Sequence, residues 1–191
     1  MAESSQLRLL HRFVAGVTLR TRQFGKRQDG SAAVEFAMVS LPFFALLFAI
    51  LETALIFFAG QTLQAAAGEA GRLIMTGQAQ TANYTAADFK NQVCARIYGL
   101  FNCQSGMTVD VKSYSSFGSV NTTSPTKNGQ FDSTNAGYTV GGPSCIQVVT
   151  LYYQWPVYVP LLGLNYLGTN SHLLQATAVF KNEPYGTSAC S

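Results

Sequence analysis

The chain has 191 residues, 48% of them hydrophobic and only 11% charged, with a formal net charge of +3. That length admits one modest domain with additional segments rather than two full domains. So few charges suit an exported or membrane-anchored chain better than a cytosolic one. The positive charge is concentrated at the start, where Arg8, Arg12, Arg20, Arg22, Lys26 and Arg27 stand against Glu3 and Asp29. The body after residue 30 is close to neutral. It lacks the basic face that phosphate binding needs, which excludes nucleic acid as a partner. The basic block reads as a topology signal that keeps its end of the chain in the cytoplasm. Taken alone, this arginine-rich, acid-poor start would also resemble a mitochondrial presequence.

Residues 36–59 are almost wholly apolar, interrupted by Ser40, Pro42, Glu52 and Thr53. A helix of that length reaches about 36 Å, enough to cross a hydrocarbon core of about 30 Å. One membrane span is expected, continuing as helix through residues 60–78. There Ala67, Gly68 and Gly71 recur at three- and four-residue spacings, and small residues on one face let another backbone approach closely. That face is either a seam for another subunit or packing against the chain's own domain; the two are compatible.

After a loop, residues 85–100 read as a helix, with Thr85 as N-cap and Asp88 three positions on. Residues 107–114 alternate as a strand, with Val109 and Val111 on one face. Residues 115–143 are rich in Ser, Thr, Asn and Gly without periodicity and read as a long surface loop. "CIQVVTLYYQW", residues 145–155, is a β-branched and aromatic strand stopped by Pro156. Its tyrosines form either core or an aromatic adhesion surface, with core favoured. "YVPLLGLNYLG" is an apolar connector, a short helix or a membrane-surface loop, and "HLLQATAVF" is the last strand. The expected fold is α+β: a long N-terminal transmembrane helix leading into a small extracytoplasmic domain with an antiparallel sheet of about three strands. The segments are a basic leader (1–30), the span and its extension (31–78), and the outer domain (79–191).

The cysteines Cys94, Cys103, Cys145 and Cys190 all follow the apolar segment, on the side that this topology places outside the cytoplasm. An even count in an exported domain favours disulfides. The short spacing favours Cys94 with Cys103 and Cys145 with Cys190, and the other two pairings stay open. A zinc site is the rival, but there is no C-x-x-C pair and the one nearby imidazole is His172. No metal and no cofactor is expected.

No catalytic constellation is legible. His11 lies in the leader and His172 stands alone at a strand start; nucleophile-elbow, zinc-protease and P-loop motifs are absent from the sequence. Asp88, Asp110 and Asp132 are scattered. Asn83 and Asn121 head formal glycosylation sequons.

Glu35 poses the sharpest question, because a carboxylate within a span costs about 2.5–3.5 kcal/mol at the helix centre and less near the surface. One reading is that Glu35 merely flanks the span. The other begins at Gly30. If the chain is cut after it, Ser31 becomes a positively charged N-terminus with Glu35 four residues along, one helical turn away. The carboxylate then meets that amine, or the amine of a neighbouring subunit, in a low dielectric where the attraction strengthens.

"G-SAAVEF" resembles a type IV prepilin-type processing site. The stretch from Gly30 to about residue 80, with "EAGRLIMTGQ" and the later "ATAVFKNEPY", resembles more specifically the TadE-like pseudopilins of the bacterial tight-adherence pilus system. The resemblance implies cleavage between Gly30 and Ser31 by a prepilin peptidase, with Glu35 and Phe36 in the processing or assembly signal. Glu52 and Arg72 match family-like positions. Glu52 either pairs within a helix bundle or marks the outer membrane–water boundary, the reading favoured here. The implied partners are the peptidase, other pilin-like subunits, the inner-membrane pilus machinery and the membrane itself. The implied function is structural rather than enzymatic, with the C-terminal domain in the periplasm. The alternatives are an uncleaved single-span protein whose outer domain binds a partner or ligand, and a domain released at Ala65–Ala67. Against release, the apolar run exceeds the 7–15 residues usual for a signal core.

Overall fold

A single helix, α1, takes up Asp29–Met75. The computed structural model describes residues 29–97, 99, 102–121, 125–159, 170–186 and 190. The basic leader before Asp29, most of the apolar connector (160–169) and the sequon threonines 122 and 123 lie outside the described residues. Chain contacts divide at residue 48 into two units, Met1–Phe48 and Ala49–Ser191.

In the first unit, the described residues belong to α1 and face outward: Phe36, Met38, Leu41, Phe43 and Leu46 are all exposed. Such a helix is stable only where lipid or protein replaces water around it. Pro42 lies inside it, which removes one ladder hydrogen bond. The Ser40 hydroxyl is satisfied locally, donating to the Ala37 carbonyl at 3.2 Å.

In the second unit, α1 carries a buried stripe: Ala49, Glu52, Ala59, Leu63, Ala66, Ala70 and Ile74, joined by half-buried Ile56. These positions advance by three and four, the spacing of one helix face. The helix stops at Met75, short of the expected Gln78. Gly77 takes φ 78°, a left-handed conformation that ends helices and favours glycine. A single turn, α2 (Gln78–Thr81), follows. Next comes α3 (Ala86–Cys94), opened by the expected cap: Thr85 Oγ1 accepts from the Asp88 amide while the Asp88 carboxylate accepts from the Thr85 amide. The Thr85 hydroxyl, which also donates to the Asp88 carboxylate at 2.7 Å, and then the Thr85 amide hold the Asp88 carboxyl below its usual range. A short turn, α4 (Cys103–Gly106), leads into the sheet.

The strands are β1 (Met107–Tyr114), β2 (Thr126–Lys127), β3 (Gln130–Phe131), β4 (Ile146–Pro156) and β5 (Ser171–Lys181). The main sheet has the order β1-β4-β5 and both pairings are antiparallel, so the fold is α+β with three principal strands. Alternation sends Val111, Val149, Leu151, Tyr153, Trp155, Leu174 and Ala176 into one core with the α1 stripe, Phe89 and Val93. Fully burying each large apolar side chain contributes about 1.5–3 kcal/mol. Pro156 is the last paired residue of β4, opposite Ser171, where a missing amide is tolerated.

The described part of the polar segment 115–143 carries more structure than a plain surface loop. It contains the β2–β3 hairpin and folds over the outer face of the sheet. Phe131 stacks on Tyr152 at 5.4 Å, and Asp110 Oδ1 accepts from the Gly137 amide at 2.9 Å. Its return limb forms a parallel bridge, Val111 with Tyr138, along β1. Ile146, Val148, Thr150 and Tyr152 are thereby buried although they face away from α1.

Candidate processing and assembly site

Gly30, Ser31, Glu35 and Phe36 lie in the first two turns of α1, all exposed. The Ser31 hydroxyl donates to Glu35 Oε1 at 2.8 Å, so the two residues share one face, as positions four apart must. Nothing stands within 4 Å of where a Cβ on Gly30 would be. No packing against the described residues therefore calls for glycine there. Glycine costs a helix interior about 1 kcal/mol relative to alanine, so Gly30 weakens the helix locally. Phe36 is 70% exposed and makes its surface available to lipid or to another chain.

Glu52 has a different environment. Expected as a marker of the membrane–water boundary, it is only 5% exposed. Oε1 accepts the Tyr158 amide at 2.5 Å and Oε2 the Val159 amide at 2.8 Å. A charged acceptor with two backbone donors is well satisfied. Its place on the buried stripe, and not its level along the helix, decides what it touches. The signal was absent locally, because its partners lie more than a hundred residues downstream.

Arg72 is exposed and makes no ion pair among the described residues; its carbonyl accepts from the Thr76 amide and hydroxyl. The small residues divide. Ala67 and Gly71 face the chain's own domain, where a Cβ at Gly71 would stand 2.8 Å from Phe180 Cε1, whereas Gly68 is open. Packing on the chain's own sheet therefore accounts for Ala67 and Gly71. Ala66 and Ala67, within the "AAA" of the release reading, are buried mid-helix.

The cysteines are joined as Cys94–Cys103 and Cys145–Cys190. The first ties the end of α3 to α4. The second fixes the chain after β5 beside the start of β4. Between them the closing "KNEPY" segment docks on the end of α1. The Glu183 amide donates to the Met75 carbonyl at 2.9 Å and the Asn182 amide to the Cys145 carbonyl at 2.8 Å. Asn182 Nδ2 donates to the carbonyls of Gly141 and Gly142.

The carboxylates that stood out as scattered remain apart. Asp88 caps α3, Asp110 pairs with Lys112 at 3.0 Å, and Asp132 accepts from the Thr134 amide; the Thr134 side chain and then this amide hold the Asp132 carboxyl below the usual range. Among the described residues no three potential metal-ligating side chains converge. His172 lies at the start of β5 opposite Trp155.

Residues 30–72 match the family model described as TadE-like protein. No curated protein and no solved structure matches the chain. The matched region runs from the glycine of the candidate cleavage site to Arg72. It takes in most of α1 and leaves the sheet outside.

Proposed function

We propose that this chain, whose residues 30–72 match the TadE-like family, is a minor pilin-like subunit assisting assembly of a tight-adherence pilus. In this reading a prepilin peptidase cuts between Gly30 and Ser31. The observation that carries it is the pairing of Ser31 with Glu35 across one turn at the head of an exposed apolar helix. Cleavage converts Ser31 into an ammonium group beside that carboxylate. A charge-assisted bond, roughly twice as strong as a neutral one, replaces the hydroxyl contact. Within a cluster of such helices the same carboxylate is able to meet a neighbouring subunit's amine, which sets the stagger between subunits.

α1 is long and apolar enough to cross a membrane. The orientation proposed is N-terminus in the cytoplasm and sheet domain in the periplasm, in keeping with the basic leader and with two disulfides in the outer domain. The partners are other pilin-like subunits and the inner-membrane pilus machinery, and the role is structural rather than catalytic.

The deciding experiment is intact mass with N-terminal sequencing of the chain purified from membranes of its native host. A start at Ser31 supports processing. A start at Met1 leaves an uncleaved single-span protein with a binding domain, and a start after Ala67 means a released domain. Glu35→Ala is expected to insert normally yet impair processing, piliation or both; correctly processed, normally piliated Glu35→Ala cells would remove the role given to that carboxylate.

A further inference from the structure

The buried stripe of α1 starts lower than its apolar surface ends. Packing begins at Ala49, yet on other faces of the same turns Leu51 and Leu55 are 50% and 48% exposed, and Phe57 and Phe58 are 69% and 59% exposed. From Ala49 to Phe58 is about 13 Å of helix. Polar residues take over only from Gln61 onward. If α1 spans the bilayer, leucines and phenylalanines at this level face lipid. The lower end of the sheet domain then lies at a depth where the helix beside it is still in the membrane.

At that end lies the chain leaving β4. Trp155 and Val157 turn inward, at 7% and 6% exposure, while Tyr158 between Val157 and Val159 turns outward at 76%. The amides of Tyr158 and Val159 are both taken by the Glu52 carboxylate. Non-helical backbone at membrane depth must have its N–H groups satisfied by protein, and Glu52 does this for both. Tyrosine, with an apolar ring and a polar tip, belongs at the lipid–water interface.

We propose that residues 157–159 are a second membrane contact, with Tyr158 seated in the outer lipid interface and Glu52 as the residue that positions it there. The occupant of this surface is the lipid that already surrounds α1, since the exposed Tyr158 continues the apolar girdle of Leu51, Leu55 and Phe58. The carboxylate near the end of the span is thus the tie that holds a loop of the outer domain at a fixed depth. This inference rests on the reading of α1 as a membrane span.

The test is fluorescence quenching on the full chain in phosphatidylethanolamine–phosphatidylglycerol vesicles, with Trp155→Phe removing the one natural indole. Tyr158→Trp is expected to lose most of its emission to lipids brominated near the headgroup and to be shielded from aqueous iodide. Phe117→Trp should show the reverse, and Phe43→Trp should be quenched only by deeper bromines. Tyr158→Trp open to iodide and untouched by bromolipid, with Phe43→Trp quenched, overturns this inference alone; failure of both overturns the span itself. Adding Glu52→Ala to Tyr158→Trp should open the indole at position 158 to iodide while Phe117→Trp is unchanged, and Glu52→Gln, which keeps one acceptor, should restore part of the shielding. An unmoved signal from position 158 in the Glu52→Ala background removes the positioning role. If Trp155→Phe disturbs the fold, a benzophenone side chain at position 158 with Trp155 in place reads the same contact. Lipid adducts support it, and their absence at 158 with adducts at 43 overturns it.

Discussion

Gly77 lies flat against the ring of Tyr185. A Cβ on that glycine would stand 2.8 Å from Tyr185 Cγ and 2.9 Å from both Cδ atoms, at a backbone φ of 78°. Two separate penalties therefore attach to any side chain there. The left-handed conformation costs a non-glycine residue about 1–2 kcal/mol, and forcing atoms into a filled contact typically costs about 1–3 kcal/mol. Gly77→Ala should lower stability by about 2–5 kcal/mol in denaturant unfolding of the detergent-solubilised chain. In a Tyr185→Ala background the same change should cost only the conformational part. Equal costs in both backgrounds would show that the ring imposes no constraint.

The two disulfides should differ in weight. Cys94–Cys103 closes 9 residues and Cys145–Cys190 closes 45. Loop-closure entropy then assigns about 3 kcal/mol to the first and about 4 kcal/mol to the second. Replacing each pair by serine and comparing urea midpoints checks the order. A larger loss from the Cys94–Cys103 pair would mean that anchoring α4, and not chain entropy, dominates.

Tyr138 sits against Phe89 with ring centroids 5.7 Å apart, and its buried hydroxyl has no hydrogen-bond partner among the described residues. Removing an unsatisfied polar group while keeping the ring is close to neutral or favourable. Tyr138→Phe should therefore match or exceed the parent in Tm at neutral pH. Burial, aided by the Asp88 charge, also pushes the Tyr138 hydroxyl up from 10.0 to about 12. A group raised in the folded state contributes stability below its unfolded pKa and loses it as pH climbs toward the folded value. The parent should thus weaken between about pH 10 and 12 more than Tyr138→Phe does. Parallel alkaline melts of the two chains would test this, and superimposable curves would count against it.

The Thr85–Asp88 box makes the opposite acid-side prediction. Hydrogen bonds from Thr85 lower the Asp88 carboxyl, so its contribution is present above the unfolded pKa and disappears as pH falls through the folded one. Thr85→Ala should cost about 1 kcal/mol at neutral pH. The Tm gap between parent and Asp88→Asn should close on acidification. A gap independent of pH would remove the carboxylate from the account of that helix.

What the sequence disclosed were features carried by neighbours. The capping box spans four consecutive residues. β1 alternates with a period of two, and α1 declares itself by an apolar run too long for a soluble helix. The features that stayed hidden join distant segments. Glu52 reads as a boundary marker because nothing within several turns of it signals a backbone partner at Tyr158. Gly71 reads equally as an intersubunit seam until Phe180 of β5 is placed over it. The polar segment 115–143 has no periodicity, so its fold over the sheet through Phe131 and Gly137 could not be anticipated. Of the candidate site, the Ser31–Glu35 spacing was legible because a helix fixes it, whereas the depth at which the domain meets α1 was not.

The way β5 runs alongside α1 has a consequence for the order of events in folding. Gln64 donates to the Thr177 carbonyl at 3.1 Å, Gly71 meets Phe180, and the Glu183 amide closes on Met75. The earliest described element is therefore completed by the latest strand. Until residues 171–183 have been synthesised, much of the surface that covers the helix stripe is missing. The core must close after β5 is available rather than before it, and contacts between such distant parts of a chain form slowly. In that interval the inner stripe of α1, from Ala59 to Ile74, stands open, and a holdase that binds exposed apolar helices would find its binding site there.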